Sequence, residues 1–381
     1  MRIALVVPEL PPDSIGGGGI VFDGLARTLH DRGHEIRVLT SATAGAPREG
    51  NAAYPFPVLR VPQFRHFTSQ YRTYMPPQPQ ALPAAKRFVA GSDVYHLHGY
   101  GMPFVDTAFH FLVDPTRTVF TSHGFPYTAP RQGGALTAAY KLYDGLFGSA
   151  ILKRSARLTA VSSFAAEEIR RAVRREAAVI PNGLVPLEPS QTIPQEIEAE
   201  LRQPYVLCAG RVEKLKGFDV AIRAIGKLAA RFPNLRLLVA GSDNGYQRAL
   251  ETLAASLGLA ARVSFLGPVE RPVLAHIYRR AACCAVSSFT ESFSMVTLEA
   301  MSQGAPCALS ATGGMLDIGE EGHNAVFFPP GDSDALAAVI ERIITGDRLS
   351  GELTANALAT AERYRWPEIA AKYEVLYSTL A

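Results

Sequence analysis

The feature that most constrains this chain is an alternation that runs through it twice. Short apolar runs exchange with longer amphipathic stretches. In the first half, Ile3–Val7, Ile36–Thr40, Val94–Leu97, Thr118–Thr121, Leu158–Val161 and Ala178–Ile180 read as strands, with Ile20–Arg32, Leu136–Ser155 and Ser163–Val173 as helices among them. A strand that is apolar on both faces needs cover on both sides of its sheet, so the pattern predicts βαβ units and a mainly parallel sheet. A Pro-, Glu- and Gln-rich break at Pro186–Pro204 reads as a linker. The alternation then restarts, with strands at Tyr205–Ala209, Leu235–Ala240, Val263–Leu266, Ala282–Val286, Pro306–Leu309 and Ala325–Phe328. Helices are expected at Gly217–Phe232, Tyr246–Leu257, Arg271–Arg280, Ser294–Gln303 and Ser333–Thr345. Two α/β halves of similar size are therefore expected in 381 residues. Open parallel sheets take ligands at the carboxyl ends of their strands, so the cleft between two such halves is the expected site.

Composition narrows the class further. With 48% apolar and 19% charged residues the chain can bury a large core, and a net charge of +3 is too small to argue for nucleic acid. Cys208, Cys283, Cys284 and Cys307 lie in or beside apolar runs and form no C-x-x-C pair, which favours reduced, buried thiols in a cytoplasmic protein over disulfides or zinc. Met1–Pro12 reads as a first strand, not a leader, because its apolar run is short and Pro8 and Glu9 follow at once. No apolar stretch approaches the roughly 20 residues of a membrane span, although contact with a membrane surface stays open. One segment, Ala44–Ser92, departs from the pattern. It is Pro-rich and aromatic (Phe56, Phe64, Phe67, Tyr71, Tyr74), and Arg48, Arg60, Arg65, Arg72, Lys86 and Arg87 against Glu49 alone give +5. It reads as a solvated insertion, or as a face that meets an anionic or aromatic acceptor or a membrane.

Three clusters carry the chemistry. Gly16–Gly19 lies between the first strand and the first helix. Its spacing fails the dinucleotide fingerprint, because the third small residue would fall on Val21 or Phe22. A flexible loop whose N–H groups approach a phosphate or sugar fits better, with an ordinary turn as the plain alternative. Arg211 and Lys216 flank a loop after the first strand of the second half. Two fixed cations there would stabilise the charge that develops on a departing diphosphate; two surface cations beside Glu213 are the competing view. Glu291 precedes a helix whose first free N–H groups fall at about Phe293, Ser294, Met295 and Val296, an end that favours anions. Glu299 lies about two turns further in, where a carboxylate can accept from a vicinal diol. Together these suggest a nucleotide-sugar site, with one acid for the sugar and one for the ribose.

At these residues the sequence resembles the family 4 glycosyltransferases, retaining enzymes of the GT-B fold. The resemblance rests on Gly17-Gly18, Leu29–Thr40, Asp93-Val94-Tyr95-His96-Leu97-His98, Thr121-Ser122-His123-Gly124, Ile180-Pro181-Asn182-Gly183, Gly210-Arg211, Lys216-Gly217, Glu291-x7-Glu299, Ala300–Pro306 and Gly313-Gly314. It implies two Rossmann-like domains facing a central cleft. Residues 1–185, with a helix from about 364 to 381 crossing back, would bind acceptor, and 186–363 would bind the nucleotide sugar. Arg211 and Lys216 would hold the diphosphate, Glu291 the sugar hydroxyls and Glu299 the ribose. His123 would sit beside the sugar near the reacting carbon, and no metal or other cofactor is implied. Ser292 and Ser294 stand where many relatives carry glycine, and the Ser after Glu291 leans toward UDP-sugars over GDP-sugars. Of the other histidines, His96 and His98 are expected on opposite sides of their strand, at least one of them structural, and His30, His34 and His66 at the surface. A nucleotide-sugar epimerase, an inactive nucleotide-sugar-binding protein and, against the glycine spacing, a dehydrogenase are the rival functions. The sequence assigns neither acceptor nor oligomeric state.

Overall fold

The computed structural model of the chain describes residues 1–12, 17–42, 48–49, 53–64, 75–125, 138 and 141–380. It divides into two units, Met1–Val185 with Arg365–Ala381, and Pro186–Tyr364. Among the described residues the first is built on eight strands: β1 (Arg2–Val7), β2 (Glu35–Ala42), β3 (Arg48–Glu49), β4 (Val58–Pro62), β5 (Val94–His98), β6 (Thr118–Ser122), β7 (Arg157–Ala160) and β8 (Ala178–Val179). Their order across the sheet is β3-β4-β2-β1-β5-β6-β7-β8, and every pairing is parallel except the short β3–β4 edge. The second unit carries β9 (Tyr205–Ala209), β10 (Arg236–Ala240), β11 (Val263–Gly267), β12 (Cys283–Val286), β13 (Cys307–Ser310) and β14 (Val326–Phe328), ordered β11-β10-β9-β12-β13-β14 and parallel throughout. In each sheet the chain winds outward on one side, returns to the centre, and winds outward on the other. The reversal falls between β1 and β5 in the first unit and between β9 and β12 in the second, which opens a crevice at those strands' carboxyl ends.

The elements match the sequence pattern closely where strands are buried on both faces. The described part of Ala44–Ser92 is not a solvated insertion: Val58–Pro62 is a buried strand parallel to β2, Leu82–Val89 is a helix, and Phe56 is buried. Arg60 is only 5% exposed, and its guanidinium donates to the carbonyls of Leu10 (3.1 Å) and Pro11 (2.5 Å), so it satisfies backbone where the sequence reading placed a surface charge. Arg65, His66, Phe67, Tyr71, Arg72 and Tyr74 lie outside the described residues. The linker Pro186–Pro204 contains a helical turn and a half, Gln195–Glu200.

The histidine expectation is overturned. His96 and His98 are two residues apart, and a strand repeats its face every second residue, so they share a face. Their rings lie 4.0 Å apart, centre to centre. His96 is fully satisfied: Nδ1 lies 2.6 Å from the Tyr377 hydroxyl and Nε2 2.7 Å from Thr121 Oγ1. His34 is also not a free surface group; it meets Glu374 at 2.9 Å, beside the Arg32–Glu374 pair. Both contacts come from the helix Trp366–Ser378, which belongs to the first unit. Trp366 at its start lies against Gly24 and Gly183, where any Cβ would overlap the indole.

Burial pulls the His96 imidazole down to about 3, with His123 adding to the shift. The folded protein therefore binds fewer protons than the unfolded chain between that value and the ordinary 6.5, and stability from this group is present above 6.5 and lost on acidification. Asp106 opposes it, since burial raises its carboxyl to about 7. The two separate by mutation: in His96→Asn the free energy of unfolding, followed by denaturant titration between pH 6 and pH 4, should depend on pH less steeply than wild type by about 1 kcal/mol per pH unit. An unchanged slope would mean that His96 is protonated in the fold.

Candidate functional site

Of the residues singled out in the second unit, Lys216 and Glu291 meet where β9 and β12 end. After β9 the chain turns at Gly210 (φ +122°) into a loop that closes with a 3-10 turn, Lys214–Lys216, and Gly217 in the left-handed region (φ +61°). Gly217 packs so closely on the Ser287 carbonyl that a Cβ would overlap it. Two hydrogen bonds reinforce the contact: Phe289 N–H donates to Leu215 O (2.9 Å) and Ser287 Oγ to Lys216 O (3.1 Å). This close approach delivers Lys216 to the far side of the crevice, where its Nζ donates to Glu291 Oε1 at 2.5 Å. Ser288 Oγ donates to the same oxygen at 3.0 Å. Behind Glu291, Gly314 N–H donates to its carbonyl at 2.9 Å, and a Cβ on Gly313 would overlap that carbonyl. The acid is thus held from the front by a cation and a hydroxyl, and from behind by backbone.

The chain then enters the helix Met295–Ser302 through Ser294, which sits in the left-handed region at φ +83°. Its Oγ accepts from Thr297 N (3.4 Å) and pairs with Thr297 Oγ1 (2.8 Å). That cap satisfies one first-turn amide and leaves those of Met295 and Val296 outside the intrahelical pattern, at the positive end of the helix dipole. Phe293 is buried against Tyr364. Glu299, one of the two acids, is only 9% exposed and already partnered: Oε1 accepts from Arg271 Nη1 at 2.7 Å and Oε2 from the Tyr278 hydroxyl at 3.3 Å. Sequence reasoning missed Arg271. It stands at the start of the helix that follows β11, at the same carboxyl edge as Lys216, and that position was the available signal. Arg211 is not brought to Glu291. It is half exposed and lies 3.3 Å from Glu213, whose other oxygen accepts from Asn244.

In the first unit, Gly17 and Gly18 are not in a loop ahead of the helix. They form the first turn of the helix Gly17–Asp31, and Glu9 Oε1 accepts from Gly19 N–H at 3.1 Å, so a carboxylate of the chain itself engages that helix end. Ile15 and Gly16 lie outside the described residues. His123 follows β6 and its Nε2 lies 3.1 Å from His98 Nδ1, with Phe22 packed edge-on against it. Burial lowers the His123 imidazole to about 4, so it is neutral at neutral pH. Among the described residues no group of three or more His, Cys, Asp and Glu side chains is arranged to hold a metal, and no helix is long and apolar enough to cross a membrane.

Comparison with known proteins decides the family. The profile described as Glycosyltransferase Family 4 matches residues 15–186, and that described as Glycosyl transferases group 1 matches residues 189–360. This chain belongs to the family 4 glycosyltransferases. Among similar proteins, an uncharacterized glycosyltransferase of Methanocaldococcus jannaschii is 27% identical over 97% of this chain and 96% of its own. A D-inositol 3-phosphate glycosyltransferase of Xylanimonas cellulosilytica is 37% identical, over 46% of this chain and 42% of its own. Of solved structures, sucrose-phosphate synthase from Thermosynechococcus elongatus superposes with a TM-score of 0.81 at 22% identity, covering 100% of this chain and 99% of its own. Anabaena HepE in complex with UDP and glucose does so at 0.74 and 20% identity, covering 100% of both chains. The glycosyltransferase thus has a GT-B fold, two parallel-sheet α/β units.

Ser294 gives this site a measurable signature. A non-glycine residue at positive φ is strained by roughly 1–2 kcal/mol, while its cap contributes about 1 kcal/mol. Ser294→Gly removes both and should leave stability within about 1 kcal/mol of wild type. Ser294→Ala keeps the strain, loses the cap and should be less stable than the glycine variant by at least about 1 kcal/mol. Denaturant titration of the two proteins checks the order.

Proposed function

We propose that this enzyme transfers a hexose-type sugar, with retention of anomeric configuration, from a nucleotide diphosphate sugar to a hydroxyl acceptor in glycoconjugate, polysaccharide or secondary-metabolite biosynthesis. UDP-sugars come first as donors and GDP-sugars second. The observation that carries the reading is the meeting of Lys216 and Glu291 at the carboxyl ends of β9 and β12, beside the capped start of the helix Met295–Ser302. A diphosphate at that helix end would take Lys216 as a point charge, with Arg211 swinging from Glu213 as a fork. Glu291, freed from Lys216, would accept from hydroxyls of the sugar. Glu299 would accept from the ribose, its carboxylate held ready by Arg271 and Tyr278. The second unit would therefore bind donor, and the first, with Gly17, Gly18 and His123, the acceptor and the near side of the sugar. HepE, whose structure contains UDP and glucose, supports the choice of uridine.

The mechanism rests on the roles that this reading gives the acids. A double displacement needs a carboxylate beneath the anomeric carbon. This reading assigns Glu291 to sugar hydroxyls, so same-face attack is the better account: the bond to the diphosphate breaks, the acceptor oxygen approaches from that face, and the leaving phosphate takes its proton. Lys216, Arg211 and the helix end supply the electrostatic stabilisation for which other transferases use a metal. Our reading keeps the enzyme in the cytoplasm, where nucleotide sugars are made. An epimerase would consume donor with no acceptor present, which separates that alternative.

Thermal unfolding with UDP, GDP, ADP and NAD at equal concentration tests the donor. UDP at about 100 times its Kd should add about 2.7 kcal/mol of stability. Lys216→Ala should lose about 1.4 kcal/mol or more of that gain and drop turnover about 100-fold or more, while remaining folded without ligand. Stabilisation by NAD alone would overturn the assignment of both glutamates to a nucleotide sugar, and normal turnover in Lys216→Ala would refute the diphosphate assignment.

A further inference from the structure

The transfer reading gives His123 a place beside the sugar but says nothing of which nitrogen it offers. The first unit contains an arrangement that answers this. His98, the last residue of β5, and His123, just past the end of the neighbouring β6, face each other through His98 Nδ1 and His123 Nε2 at 3.1 Å. Phe22, from the helix Gly17–Asp31, packs on both rings, tilted at 5.0 Å from His98 and edge-on at 5.3 Å from His123. His96 also packs against His98, at 4.0 Å between ring centres, and is itself anchored at both nitrogens by Tyr377 and Thr121. His98 therefore has little freedom to rotate. Burial holds all three imidazoles below their ordinary range, His98 further lowered by His96 and His123. Each ring then carries a single proton at neutral pH, and the partner of one nitrogen determines which atom bears it.

The unused nitrogen of His98 decides the direction. His98 Nε2 is buried and has no hydrogen-bond partner. Were the proton on Nε2, a buried N–H would be left unused, a rarer and costlier state than an unused lone pair. With the proton on Nδ1, His98 becomes a donor, and the atom it faces, His123 Nε2, must accept. His123, being neutral, then carries its proton on Nδ1.

We propose that His98 is a positioning residue for His123: it donates from Nδ1 to His123 Nε2 and so holds His123 as the Nδ1–H tautomer, a hydrogen-bond donor toward a sugar oxygen. This rests on the transfer reading for its substrate. It also removes His123 as a general base, since one nitrogen is occupied and the other already bears the proton. His98 is thus a group that acts through its neighbour, with no need to touch the substrate.

The test uses the full chain with 15N-labelled histidine. Long-range proton–nitrogen correlation at pH 7.5, with His123 assigned by its absence in His123→Gln, reads the tautomer without any substrate. Nδ1–H on His123 is expected; Nε2–H overturns the proposal. Two variants then separate positioning from packing. The His98→Asn side-chain amide can place a donor near the former Nδ1, whereas His98→Phe retains a ring and offers none. His98→Phe should shift His123 toward Nε2–H and lower kcat about 10–100-fold with little change in KM for acceptor. His98→Asn should recover most of that loss and keep the Nδ1–H form. Equal losses in both variants with the tautomer unmoved would make His98 merely structural and overturn the proposal. Should His98→Phe fail to fold, the wild-type spectrum and His98→Asn still decide. Failure of the transfer reading looks different: Nδ1–H on His123 in a protein that no nucleoside diphosphate stabilises.

Discussion

The second unit depends on one close approach. Gly217 lies against the carbonyl of Ser287 with no room for a side chain, and that contact ties the loop after β9 to the end of β12. Parallel winding brings two strand ends together in any sheet of this kind; it does not by itself join their loops. The contact at Gly217 does so, and the Lys216 ammonium reaches Glu291 as a result. Gly313 and Gly314 perform the matching task behind the acid, where backbone rather than side chain meets Glu291. Lys216 and Glu291 are therefore placed by glycines that leave no room for a side chain at these contacts.

The two glutamates that first drew attention have different surroundings. Glu291 shares its oxygen between a flexible cation and a serine hydroxyl, both of which an incoming ligand can replace. Glu299 is buried between an arginine and a tyrosine on the neighbouring helix. Under the donor reading, the first acid changes partners during binding and the second serves as a fixed acceptor. Identical side chains in one short stretch thus acquire different mobility from what packs around them.

Much of this was legible because strands buried on both faces leave continuous apolar runs. Tyr205–Ala209 and the helices Arg271–Arg280 and Ser333–Thr345 were read to the residue. The strand Val58–Pro62 was not, because Arg60 interrupts its apolar run and prolines surround it; only the carbonyls of Leu10 and Pro11, distant in sequence, explain a charge there. The helix Asp347–Glu362 was also missed, its small and polar residues giving a weak stripe. In the site, Lys216, Glu291 and Glu299 could be named from spacing within a loop or a helix. Their partners could not: Arg271 is 28 positions from Glu299, and Tyr377 is 281 from His96. The pairing of His96 with His98, by contrast, was available from the two-residue period of a strand.

The C-terminal helix has a consequence for how the molecule comes into being. Trp366 fills the space left by Gly24 and Gly183, and Tyr377 closes on His96, all within a unit whose first strand begins at residue 2. The second unit, Pro186–Tyr364, is complete before that helix leaves the ribosome. Synthesis proceeds from the N-terminus at about 5–20 residues per second. The segment Met1–Val185 is therefore made before Pro186–Tyr364, yet its unit is complete only once Arg365–Ala381 has followed.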